Sequence, residues 1–168
     1  MSRFWRSRFS CAAVFALLCL VGPGSKRAHG QTLTVSAAPS AVNFTLPRNG
    51  VASGGSAITI TTQWFISLPP LTITLYAFTS STTAALTDGA GHNIPTSNVS
   101  GSANGGSFAA FTGTSSFAAG RSITIFTQST LSIAGSRNDT LGLQIDTTSL
   151  ALPPATYQGT LTIRATLL

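Results

Sequence analysis

The sequence predicts an all-β fold, an antiparallel immunoglobulin-like β-sandwich of about seven strands. Three observations carry this. Apolar residues alternate with Thr in run after run, the period of two that a half-buried strand requires. Strong turn formers separate the runs: Pro47-Arg48-Asn49-Gly50, Gly54-Gly55, Pro69-Pro70, Asp88-Gly89 and Pro153-Pro154. No segment carries an apolar stripe of helical period, and beyond residue 30 the chain has no Glu, Lys or Met, which are good helix formers.

The start of the chain stands outside this pattern. Arg3, Arg6 and Arg8 precede an apolar run of eleven residues, Cys11 to Val21. A helix needs about 20 residues to cross a hydrocarbon core, so the run has the length of a signal-peptide core instead. Ala28 and Gly30 place small residues where a signal peptidase wants them, which makes residues 1–30 a cleaved signal peptide and residues 31–168 a single exported domain; Gly22-Pro23-Gly24 offers an earlier cut. Cleavage removes Cys11 and Cys19, the two cysteines of the chain, so the domain must hold itself together by its core alone. No later apolar stretch is long enough for a membrane helix. The product is expected to be secreted, in the periplasm or at the cell surface.

Within the domain, Leu33, Val35 and Ala37 alternate with Thr34 and Ser36 in a first strand, and Val42, Phe44 and Leu46 keep the same spacing. Ala57 to Ile66 sets Ile58, Ile60, Trp64 and Ile66 on one face and Thr59, Thr61 and Gln63 on the other, so Trp64 is expected between the sheets. Leu71, Ile73 and Leu75 share a face, with Thr72, Thr74, Tyr76 and Phe78 opposite. Ile123 and Ile125 mark a further strand, as do Leu141, Leu143 and Ile145, and Tyr157 to Leu168 closes the series. Asp139 sits among Ser136, Arg137 and Asn138, a turn-forming group, and Asp146 falls at a strand end. The irregular stretch from Gly101 to Gly120 reads in two ways. Its Phe108, Phe111 and Phe117 fold back onto the sandwich, or they form an exposed patch that meets a partner.

Charge excludes one class of function. The basic excess lies in the first thirty residues, and the domain carries four arginines against three aspartates. That is no footprint for phosphate backbones, so nucleic acid is not an expected partner. Catalytic chemistry is equally thin. The domain has one histidine, His92, in a turn with Asp88, and no Gly-x-Ser-x-Gly elbow. The only possible carboxylate pairs come from Asp88, Asp139 and Asp146, and no thiolate or paired-histidine pattern offers a metal site. An enzyme is therefore not expected, nor a metal or cofactor.

Two surfaces remain as candidates. Phe65, Tyr76 and Phe78 are aromatics on polar strand faces and would stack sugar rings if they form a platform. The alternative is that the Gly101–Gly120 stretch covers them, or that a bulge flips their register. The run with Leu33, Val35 and Ala37 has the alternation of a strand that completes a neighbour's sheet by strand addition, or of the first strand of its own domain.

The closing stretch Leu152-Pro153-Pro154-Ala155-Thr156-Tyr157-Gln158-Gly159-Thr160-Leu161-Thr162-Ile163 resembles the last strand of bacterial secreted sandwich proteins of the spore coat protein U group and of pilin-like subunits. Asp139 to Asp146 resembles the strand that pairs with it. The resemblance implies an exported structural or surface protein, a subunit of a pilus-like, coat or adhesive assembly. It departs from the pilin pattern in lacking a cysteine pair in the domain and in ending Ala165-Thr166-Leu167-Leu168 without an aromatic. The competing reading is a secreted carbohydrate-binding module built on the surface aromatics.

Overall fold

The structure, a computed structural model, describes residues 30–67 and 69–168. Residues 1–29, and with them nearly all of the expected signal peptide, lie outside the described residues. The described chain forms β1 (Thr32–Ala38), β2 (Val51–Ser53), β3 (Ile58–Phe65), β4 (Leu71–Thr79), β5 (Leu86–Thr87), β6 (Asn93–Ile94), β7 (Val99–Ala103), β8 (Ala109–Ala110), β9 (Ser122–Thr130), β10 (Ala134–Asp146) and β11 (Leu161–Leu167). Seven of these have five residues or more. They divide four and three between two antiparallel sheets, as in a constant-type immunoglobulin sandwich, with their own strand order. The larger sheet runs β1-β3-β10-β7-β8, with β2 also on β10, and the smaller runs β11-β4-β9. β5 and β6 form a separate hairpin.

Alternation dictates which side chains face inward. Ile58 and Ile60 from β3, Ile73, Leu75 and Ala77 from β4, Ile123 from β9, and Leu141, Leu143 and Ile145 from β10 form one buried cluster. Trp64 shares the inward face of β3 but is half-buried, because it lies at the end of the sheet. Its ring lies over Gly135, its register partner on β10, where a Cβ would run into the indole. A glycine there lets the ring cover the backbone.

Strand register defines two poles. β3 ends at Phe65 opposite Ala134, and β4 begins at Leu71 opposite Thr130, so the β3–β4 and β9–β10 connections share one pole. The starts of β3, β7 and β11 and the end of β10 lie at the other. β10 therefore runs the length of the sandwich from one pole to the other.

Three stretches differ from the alternation argument. Asp139 is not in a turn but inside the thirteen-residue β10, fully buried and paired with Ile60. The turn tendency of Asn and Asp yields because the carboxylate is satisfied in place: Arg137 Nε donates to both its oxygens at 3.0 Å and Asn104 Nδ2 donates at 2.8 Å. Val42, Phe44 and Leu46 alternate inward as expected, yet the run 41–46 joins no sheet. Its one backbone tie is the Gly55 N–H to the Asn43 carbonyl. The last strand starts at Leu161, not Tyr157, because Gly159 presses against the Ala85 carbonyl and Gln158 bridges to Thr87 instead of joining β4.

Candidate functional site

The three aromatics read as a platform do not come together. Phe65 lies on the outer face of the larger sheet, where it is 43% exposed, while Tyr76 and Phe78 lie on the outer face of the smaller. Tyr76 and Phe78 are in turn covered by Phe117, whose ring meets both edge-on at 5.3 and 5.2 Å between centroids. Arg164 from β11 lies over Phe117 at 4.7 Å, and Arg121 over Phe78 at 5.7 Å. Arg121 also donates to the Thr79 and Ser80 carbonyls, and so fastens the 113–121 segment to the end of β4. The cluster is a stack of rings and guanidinium groups in which Phe117 packs on both Tyr76 and Phe78.

Leu33, Val35 and Ala37 lie in β1, which pairs with β3 over its full seven residues within the same chain. Leu33 and Val35 point inward and pack half-buried against the core, while Ala37 is exposed. Among the described residues no strand pairs with the other side of β1, nor with that of β11 beside it. No acidic or basic side chain occurs in β1, so this edge lacks the charge that usually discourages pairing.

His92 Nδ1 meets Asp88 Oδ2 at 2.6 Å across the β5–β6 turn, and Asp88 also accepts the Ala90 and His92 N–H groups. Desolvation pushes the Asp88 carboxyl up, but the bonds from His92 and from these N–H groups outweigh it and hold it below the ordinary carboxylate range. Tyr157 is raised by desolvation and by the nearby Asp88 charge, and its hydroxyl donates to the Pro153 carbonyl at 3.2 Å. No hydroxyl nucleophile bonds to His92, and among the described residues no three His, Cys, Asp or Glu side chains gather where they could hold a metal. Asp139 and Arg137 face the sheet interior and serve the fold.

One concave feature is not revealed by residue patterns. At the pole where β11 begins, a cleft of about 870 Å³ opens between the two sheets. One wall is the unpaired run 39–46, the other is residues 155–161, and Ile58, Leu143 and Ile163 form the floor. None of its lining residues is charged. The volume falls within the range of ligand pockets, about 300–1,000 Å³. Its only sequence signal was the Val42, Phe44, Leu46 alternation, which marks an inward face without saying that no strand lies beside it.

Among the described residues no helix is long and apolar enough to cross a membrane. No protein-family model matches this chain, and no curated protein does.

Proposed function

We propose that the chain is an exported structural subunit of a surface assembly, of the pilus-like, coat or adhesive kind. The observation that carries this is the uncharged cleft between the sheets, whose lining mixes apolar side chains such as Val42 and Phe44 with polar ones such as Asn43, Thr156 and Gln158. A concavity of that size can receive part of another chain or a ligand. The signal-peptide pattern of residues 1–30 and the resemblance of the closing stretch support export and a structural role. The unguarded edge of β1 supports contact between subunits, by strand addition along that side. The stack over Tyr76 and Phe78 gives the carbohydrate-binding alternative no such support.

The test is sedimentation velocity on the protein secreted by an expressing host, across a concentration series. Concentration-dependent assembly is the expected result. A monomer at every concentration, with the cleft equally exposed throughout to an apolar dye, overturns the reading.

A further inference from the structure

The turn Pro47-Arg48-Asn49-Gly50 carries chemistry that the fold does not use. It holds one of the two places in the chain where Asn precedes Gly, the other being Asn104-Gly105. Both glycines have a backbone that side chains rarely adopt, with φ of 142° at Gly50 and 74° at Gly105. The two asparagines are held in opposite ways. Asn104 is fastened at both ends of its amide: Nδ2 donates to the buried Asp139 carboxylate at 2.8 Å, and Oδ1 accepts the Thr140 N–H at 2.9 Å. The Asn49 side chain is exposed and makes no hydrogen bond among the described residues, and the Gly50 N–H donates none there either. The Gly50 carbonyl, by contrast, accepts the Thr147 N–H at 2.7 Å and the Thr147 hydroxyl at 2.9 Å. The turn is therefore fixed on the carbonyl side of Gly50 and free where Asn49 meets it.

We infer that Asn49-Gly50 is a self-modification site, at which the folded chain converts Asn49 to a mixture of aspartate and isoaspartate in water. The Gly50 backbone nitrogen loses its proton to solvent base and attacks Cγ of Asn49. The bond from nitrogen to Cγ forms, the bond from Cγ to Nδ2 breaks, and Nδ2 takes up a proton and leaves as ammonia. Water then opens the cyclic imide at either carbonyl. Opening at Cγ gives aspartate with the main chain unchanged. Opening at the Asn49 main-chain carbonyl gives isoaspartate, with the main chain running through Cγ. Water is the only co-reactant, and no electrons are exchanged.

The attack needs a side chain free to swing and a nitrogen that no neighbour shields. Gly50 supplies the second, since it has no Cβ to block the approach. The exposed, unbonded amide of Asn49 supplies the first. At Asn104 the same step must first break two hydrogen bonds, one of them to a carboxylate. Either product adds one negative charge to a domain of four arginines and three aspartates, and so brings its formal charge to zero with His neutral. Isoaspartate also lengthens the backbone by one carbon in the turn that follows the 39–46 wall of the cleft. The inference stands on the turn alone and does not depend on the assembly reading.

The test is to age the purified chain and its Asn49→Gln variant at mildly alkaline pH. Peptide mass spectrometry and an isoaspartate-specific methylation assay then locate the product. In the folded protein Asn49 is expected to gain one mass unit at least about tenfold faster than Asn104, whose bonds must open first. In denaturant, which releases both side chains, the two rates are expected to converge. Isoelectric focusing is expected to show an acidic satellite growing with time in the wild type and missing from Asn49→Gln. Asn49 left intact in the folded chain, over a period in which the denatured chain converts it, overturns the inference, because the turn then holds the amide away from Gly50. Asn104 converting as fast as Asn49 in the folded protein overturns it too, since the contrast rests on the bonds to Asp139 and Thr140. An equal acidic satellite in Asn49→Gln would place the charge at another residue and end the assignment.

Discussion

The two ends of the β-sandwich interior are finished differently. On the β7–β9 side, the segment 104–121 returns to the fold and drives Phe111 into the core, where it is 1% exposed and packs against Gly101, Leu141 and Ile123. Asn104 reaches Asp139, and Phe117 and Arg121 strap the same segment over β4. At the cleft pole the corresponding segments, 39–46 and 155–160, lie along the opening with three backbone bonds, Gly55 to Asn43 and a reciprocal pair between Gln158 and Thr87. The chain therefore has the means to seal an opening and uses them on one side only. Stability is concentrated where the core is sealed, and the proposed contact is placed where it is not.

The largest effects should break the sealed side. Phe111→Ala removes a fully buried ring and is expected to cost about 3–5 kcal/mol in chemical denaturation. Asp139→Ala leaves the Arg137 guanidinium, which lies 4.5 Å over Phe126, without its buried partner. A smaller cost, about 2–3 kcal/mol, is expected there, because the guanidinium left behind is partly exposed. If either variant melts like the parent, the sealed side is not where the fold is held. Trp64→Ala, at the end of β3 and half-buried, is expected to cost less, about 2 kcal/mol by scaling the full-burial value.

A second group of variants sharpens the contrast. Phe44→Ala on the cleft wall is expected to lower stability by only ~1 kcal/mol, because the ring is half-buried and its segment joins no sheet. Its effect on assembly, read by sedimentation, should exceed its effect on melting. Phe111→Ala should show the opposite order. Equal effects on both readouts for the two variants would erase the distinction between the regions.

Strand faces were legible in the sequence wherever Thr alternated with Ile or Leu, since burial of one face is what that pattern records. Ile58, Ile60, Leu141 and Leu143 all lie inward as the alternation required. Asp139 was misleading because residue-type preference is local, whereas its buried carboxylate is satisfied by Asn104, thirty-five positions away in sequence. The stack over Tyr76 and Phe78 was only half legible. The Phe residues of the Gly101–Gly120 stretch were visible, but which ring lands on which sheet is decided by the Arg121 and Arg164 contacts. The cleft was not legible at all. Alternation in Val42, Phe44 and Leu46 is the same whether a neighbouring strand is present or absent.

The smallest expected effect is a pH dependence confined to the cleft pole. Asp146 ends β10, and the turn after it braces the chain behind the cleft wall: the Thr147 hydroxyl donates to the Pro47 and Gly50 carbonyls, each at 2.9 Å. Hydrogen bonding from the Thr148 side chain and from its backbone N–H, the latter at 2.8 Å, holds the Asp146 carboxyl below its ordinary value of 3.8. A group whose pKa is lower in the folded state stabilises the fold above its unfolded pKa and loses that contribution as pH falls through the folded one. The loosening should therefore begin only under acid conditions, below pH 3.8, and should touch the 146–150 turn before the sealed side. In an NMR titration the Asp146 carboxyl carbon is expected to have its midpoint below 3.8, with hydrogen exchange at the Thr148 amide rising over the same range while the Leu141 amide stays protected. Asp146→Asn should abolish the pH dependence of the Thr148 exchange. A midpoint at or above 3.8, or a loss of protection at Leu141 in step with Thr148, would mean that acid opens the sandwich as a whole and that the two regions do not differ in the way their packing implies.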